Sequence, residues 1–249
     1  MTTNKRTLPA HFLPVERASW SEILELRKKG VPWDELRTRT GLSALGMAIF
    51  EGSALAVQMV LEMGAPISSE KLFDGSVFSP LWSALERKKP YIIDILLQAG
   101  ADPNEQHPYY GTPIAFAAEH VLLEETLILC KHGAIPNTPT APSPLWLWIK
   151  NTVPTQDQAT GDWIFPERNP ILPLLKNGAR VHGDEKKGVG MNELQLARKM
   201  WWNIPLKGES RQNMIMTISL MEKNLYSQQL LRRKDESDED AVQKREHKM

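Results

Sequence analysis

Cys130 and His132 stand two residues apart, and a thiol beside an imidazole is the smallest pair that could serve as a nucleophile with its base. The surrounding stretch ILCKHGAIPN places Cys130 where an apolar residue belongs on the inner face of a helix, and a free cysteine there behaves as a small hydrophobe. His132 falls at the end of the same helix, where an imidazolium faces the negative pole of the backbone dipole. A second set, His120 with Glu119 or Glu86, contains the base and carboxylate from which a hydrolase could be built. Glu124 and Glu125 are adjacent, so on a helix they diverge by about 100° and do not converge on one metal; a solvated face is the expectation. The acidic run Asp235 to Asp240 lacks the glycine and spacing of a calcium loop. No HExxH, CxxC or glycine-rich phosphate loop occurs. No catalytic, cofactor-binding or metal-binding residue is therefore expected, and the chain reads as a non-enzyme.

Bulk properties narrow the class further. Thirty basic and thirty acidic residues cancel, leaving no global field to draw the protein onto nucleic acid or anionic lipid. No 18 consecutive apolar residues occur, so no membrane span is expected. The first 17 residues carry no apolar stretch of signal length, and one cysteine excludes an internal disulfide. Both point to a cytoplasmic protein. An apolar share of 41% is enough for a folded core.

The elements that position these residues repeat. Ser43-Ala44-Leu45-Gly46-Met47-Ala48, Ser79-Pro80-Leu81-Trp82-Ser83-Ala84 and Thr112-Pro113-Ile114-Ala115-Phe116-Ala117 align, and each is followed, at the same distance, by a helical stretch ending in Gly-Ala at Gly64, Gly100 and Gly133. Ser43, Ser79 and Thr112 suit the N-cap of a first helix, and Pro80 and Pro113 its first position. Val57, Val60 and Leu61, then Ile93, Leu96 and Leu97, then Thr126, Leu129 and Cys130, give each second helix one apolar face. The glycines suit the left-handed position after it. A fourth unit opens at Ser143-Pro144-Leu145 with Trp148 in place of the small alanine and an insertion at about 152–170.

The repeated segments resemble the ankyrin repeat, whose signature and period of about 33 residues they follow. The resemblance implies an all-α ankyrin-repeat solenoid over 18–231, caps included, after an N-terminal extension at 1–17. Residues 232–249 are expected as a charged disordered tail or a lone exposed helix. Proteins of this family mostly bind other proteins along a concave groove, through loop tips and the ends of the first helices. That implies a protein partner for this chain, with inhibitor or immunity protein against a toxin as one specific form and a structural subunit of an assembly as another. The chain is expected to be a monomer when unbound. Helix-end candidates are Phe50, Glu51, Glu86, Arg87, Glu119 and His120; loop candidates are Phe73, Asp74, Val77, Phe78, His107, Tyr109 and Tyr110. Trp163 in the insertion completes the set, although Trp163, Ile164 and Phe165 together are expected to fold back on the fourth repeat. Trp82 and Trp146 occupy the place of a histidine that braces the loops in the family, which leaves the brace to something else.

Overall fold

A computed structural model describes residues 20–72, 74–137, 143–152, 154–165, 170–181 and 193–246. The chain divides into two compact units, Met1–Glu105 and Gln106–Met249. In the first unit, α1 (Trp20–Lys28) leads through a 3-10 turn to the helix pair α2 (Ala44–Glu51) and α3 (Ala54–Glu62). The hairpin β1 (Glu70–Lys71) and β2 (Val77–Phe78) follows, then the pair α4 (Pro80–Glu86) and α5 (Pro90–Gln98). First helix packs on first helix (α2 on α4) and second on second (α3 on α5).

Local chemistry sets each boundary. The Ser43, Ser79, Thr112 and Ser143 hydroxyls accept the backbone N–H of Gly46, Trp82, Ala115 and Trp146, so the helices that open at Ala44, Pro80 and Pro113 begin with the expected cap and the one that opens at Pro144 begins with the same one. At the other end Gly64, Gly100, Gly133 and Gly178 take positive φ, and the next alanine's N–H reaches back to the carbonyl of Val60, Leu96, Leu129 or Leu174 at 2.9–3.0 Å. That six-to-one bond satisfies a carbonyl the helix would otherwise leave open. Ala48, Ala84 and Ala117 are wholly buried between helices, as are Val57, Val60, Ile93, Leu96, Thr126 and Leu129; Leu61 is half-buried. Thr126 fits there because its hydroxyl donates to the Leu122 carbonyl at 2.7 Å. Gly46 makes room for its neighbours: a Cβ on it would press into the Leu42 side chain and stand 3.1 Å from Phe78 Cε1.

The second unit contains α6 (Pro113–Glu119), α7 (Leu123–Lys131), α8 (Pro144–Asn151), the hairpin β3 (Thr155–Gln156) and β4 (Trp163–Ile164), α9 (Ile171–Lys176), α10 (Glu193–Trp201) and α11 (Gly208–Glu246). First helices α6, α8 and α10 pack in series, and second helices α7, α9 and α11 follow the same order. The insertion folds back, its buried ring meeting α10 of the last helix pair, where the fourth repeat was the expected cover. Phe165 is fully buried edge-on to Trp201, with ring centroids 5.0 Å apart, and Trp201 Nε1 donates to the Thr152 carbonyl at 2.7 Å. Trp201 thus covers the core edge, whereas Trp202 beside it is exposed.

Loops are braced by carboxylates. Glu70 accepts Ser43 N–H at 3.1 Å and Arg37 Nη1 at 2.7 Å. Glu105 accepts the hydroxyls of Ser69 and Ser79 at 2.6 and 2.7 Å, and the buried Glu193 accepts that of Ser143 at 2.7 Å. Each ties a capping serine to the following loop or repeat, the task left open by the tryptophans at the histidine position.

Of the two expectations for the tail, disorder or a lone helix, residues 232–246 take the helical one, not as a separate helix but as a continuation of α11 without a break. Opposite charges recur four apart in the sequence, as in Arg232 and Glu236, Lys234 and Asp238, Asp240 and Lys244, a spacing that supports helix. Among the described residues no helix is long and apolar enough to cross a membrane.

Candidate functional site

In the first unit the helix-end candidates come together. Phe50, the penultimate residue of α2, is 61% exposed, and the Arg87 guanidinium carbon lies 3.9 Å from its ring centroid. Glu51 accepts Trp20 Nε1 at 3.1 Å, which ties α1 to the end of α2. Glu86 is exposed at the end of α4. The turn that follows each first helix repeats a left-handed residue nine positions after the cap: Gly52 at φ +74, Lys88 at φ +53 and, in the second unit, Val121 at φ +56.

The hairpin candidates divide. Phe73 lies outside the described residues. Asp74 is exposed, but its carboxylate accepts the Ser76 N–H and hydroxyl at 2.8 and 2.6 Å, and those bonds hold it below the usual carboxylate range. It shapes the turn. Val77 is exposed at the strand edge, while the half-buried Phe78 packs toward Gly46 and Leu42 and so anchors the hairpin to α2.

In the second unit His107, Tyr110, Phe116 and His120 form a continuous run of rings in contact. His107 and Tyr110 stack at 4.7 Å, Tyr110 meets Phe116 edge-on at 5.0 Å, and Phe116 stacks on His120 at 4.1 Å. The loop closes where His107 and Gly111 exchange backbone hydrogen bonds of 2.8 and 3.0 Å, and His107 Nδ1 accepts from the backbone of Tyr109 and Tyr110. Tyr109, at the tip, is 89% exposed, against 41% for Tyr110. The four rings therefore lead from buried Phe116 outward, with Tyr109 standing 5.8 Å from the His107 ring. Glu119 is exposed beside His120. Trp163 is half-buried, its backbone paired with Gln156 and bridged to Leu206, so of the insertion's apolar triplet only Ile164 is exposed.

The groups that could do chemistry have structural partners. Cys130 is buried, and burial pushes its thiol up to about 11, so it holds its proton in the neutral range. His132 is the C-cap of α7. His120 Nδ1 lies 3.0 Å from the Phe116 carbonyl and so carries the proton there. The solvated-face expectation holds for Glu124 only, because Glu125 is buried in the first turn of α7, where the helix dipole tolerates a carboxylate. Among the described residues no three His, Cys, Asp or Glu side chains gather as metal ligands would.

Sequence reasoning missed Lys88, Lys89 and Val121 at the turns, and Arg37, Glu70, Glu105 and Glu193 in the braces. The braces left one faint signal, an acid 27 residues after Ser43 and 26 after Ser79.

No protein-family profile matches the chain. A curated ankyrin repeat-containing protein of Treponema pallidum (strain Nichols) is 31% identical over 104 residues, 41% of this chain and 33% of that protein. The chain thus spans about a third of the curated relative it matches. Among solved structures, an ankyrin repeat domain from Acinetobacter baumannii AYE superposes with a TM-score of 0.55 at 22% identity, covering 80% of this chain and 92% of that one.

Proposed function

We propose, from an ankyrin-repeat fold shared with a solved ankyrin repeat domain and a partial match to an ankyrin repeat-containing protein, that the chain holds another protein through the exposed rings and helix ends of its repeats. Ankyrin repeats are generally protein-protein interaction modules. The observation that carries the reading is the ring stack of the second unit. Tyr109 is almost fully exposed on a loop closed by two backbone bonds and backed by the contacting rings of His107, Tyr110, Phe116 and His120. A large aromatic held in place before binding buries much area while losing little entropy, which is how interface hot spots work.

Tyr109→Ala is the test, since this ring is exposed and its loss leaves the stack intact. The chain carrying an affinity tag is incubated with lysate of the cells that make it, and captured proteins are quantified by mass spectrometry. One protein retained by the unaltered chain should fall at least about tenfold with Tyr109→Ala, at equal thermal stability. Capture of the same proteins in the same amounts by both would overturn the reading. Loss of the captured protein's own activity on binding would then separate an inhibitor from an adaptor, and size-exclusion chromatography would separate a monomer from a subunit of an assembly.

A further inference from the structure

Phe50 and Gly52 of one repeat and Arg87 and Lys89 of the next form a single patch in the first unit. The Arg87 guanidinium over the Phe50 ring is held by the ring's negative face, and Arg87 remains exposed. The Lys89 chain folds over Gly52: a Cβ there would stand 3.2 Å from Lys89 Cε and 3.3 Å from Nζ. Lys88, between them, turns the backbone left-handed at φ +53. Three consecutive exposed cations are thus presented together, and among the described residues none is ion-paired. The acids beside them are Glu51, already bonded to Trp20, and Glu86.

Stabilising a helix end does not account for this arrangement. A single cation answers the dipole, and the left-handed position is filled without strain by Gly52 in the preceding repeat. A lysine there adds charge at a conformational cost that glycine does not bear.

We infer that this patch docks an acidic, partly apolar segment of the partner protein, its carboxylates meeting Arg87 and Lys89 and an apolar side chain covering Phe50. The inference rests on the protein-binding reading above and assigns the partner's chemistry. A guanidinium already fixed over a ring loses little freedom on meeting a carboxylate, and the resulting charge-assisted bonds weaken as salt rises.

Two fluorescent peptides test it by anisotropy, one alternating glutamate and leucine and one with lysine for every glutamate. The acidic peptide should bind with an affinity that falls as salt is raised, and the lysine peptide should not. Arg87→Glu with Lys89→Glu should weaken the acidic peptide at least about tenfold, while Lys199→Glu, the reversal of one exposed charge on α10, should leave it unchanged. Thermal unfolding checks that the charge reversal folds; Arg87→Gln with Lys89→Gln is read in its place if it does not, with loss in the same direction. Absence of acidic-peptide binding, equal binding of both peptides, or affinity indifferent to the substitutions would each overturn the inference. If Tyr109-dependent capture of a protein survives such a result, only the acidic segment is refuted; if capture is also absent, the protein-binding reading falls with it.

Discussion

Val121 is a β-branched residue in a left-handed turn, at φ +56 and largely exposed, and Lys88 occupies the same turn of the repeat before it at φ +53. Their counterpart Gly52 adopts this region without a Cβ clash, whereas an L side chain there costs about 1–2 kcal/mol. Val121→Gly should therefore raise stability by about 1 kcal/mol, the relief being partly offset by the freer unfolded chain, and urea unfolding would read it as a higher midpoint. A midpoint that stays or falls would show that the turn carries no strain. Both strained residues border candidate contacts, Val121 following His120 and Lys88 lying inside the cationic patch. Neither position was legible in the sequence. Glycine announces a left-handed turn by its type, as Gly64, Gly100 and Gly133 did, but lysine and valine announce the opposite.

At the scale of elements, the helices and their ends were legible because each rests on contacts a few residues long. A serine caps an N–H three positions on, and a glycine closes a bond to a carbonyl within the last turn. The braces were hidden because Ser79 and Glu105 are 26 apart, Ser143 and Glu193 are 50 apart, and a lone glutamate in a loop looks like any solvated one. The ring stack was half legible. Tyr109 and Tyr110 stood out as loop aromatics, but that Tyr110 leans on Phe116 while Tyr109 stands free depends on how the loop closes. The brace at Glu70 makes a test. Arg37 and Glu70 side chains are 19% and 14% exposed, so Glu70→Ala leaves a guanidinium and the Ser43 N–H poorly solvated. A loss of about 2 kcal/mol is expected in denaturant unfolding, with Arg37→Ala and Glu70→Ala together costing less than the sum of the two alone. Strict additivity would mean that the pair is not coupled.

At the scale of the whole molecule, α11 is where composition left two readings open, disorder or a separate helix, and the structure has one continuous helix. Its inner residues Met214, Thr217, Ile218 and Met221 are buried, and Asn224 bonds the backbone of Ala179 and Val181, while Tyr226, Leu230 and Leu231 are exposed. Removing 232–249 should leave the melting temperature within about 2 °C, whereas ending the chain before Met214 should abolish cooperative unfolding of the second unit, as circular dichroism would show. A large destabilisation from the shorter deletion would place tertiary contacts in the distal helix. Composition registers that stretch as too polar to fold alone; it does not register that a packed helix supplies the nucleus from which a polar continuation can propagate. The continuation has a mechanical side. At 1.5 Å of rise per residue, Glu246 stands roughly 37 Å along the axis from Met221. α11 is then a lever pivoting on α9 and α10, and a tilt of about 5° at that fulcrum would swing the far end by roughly 3 Å.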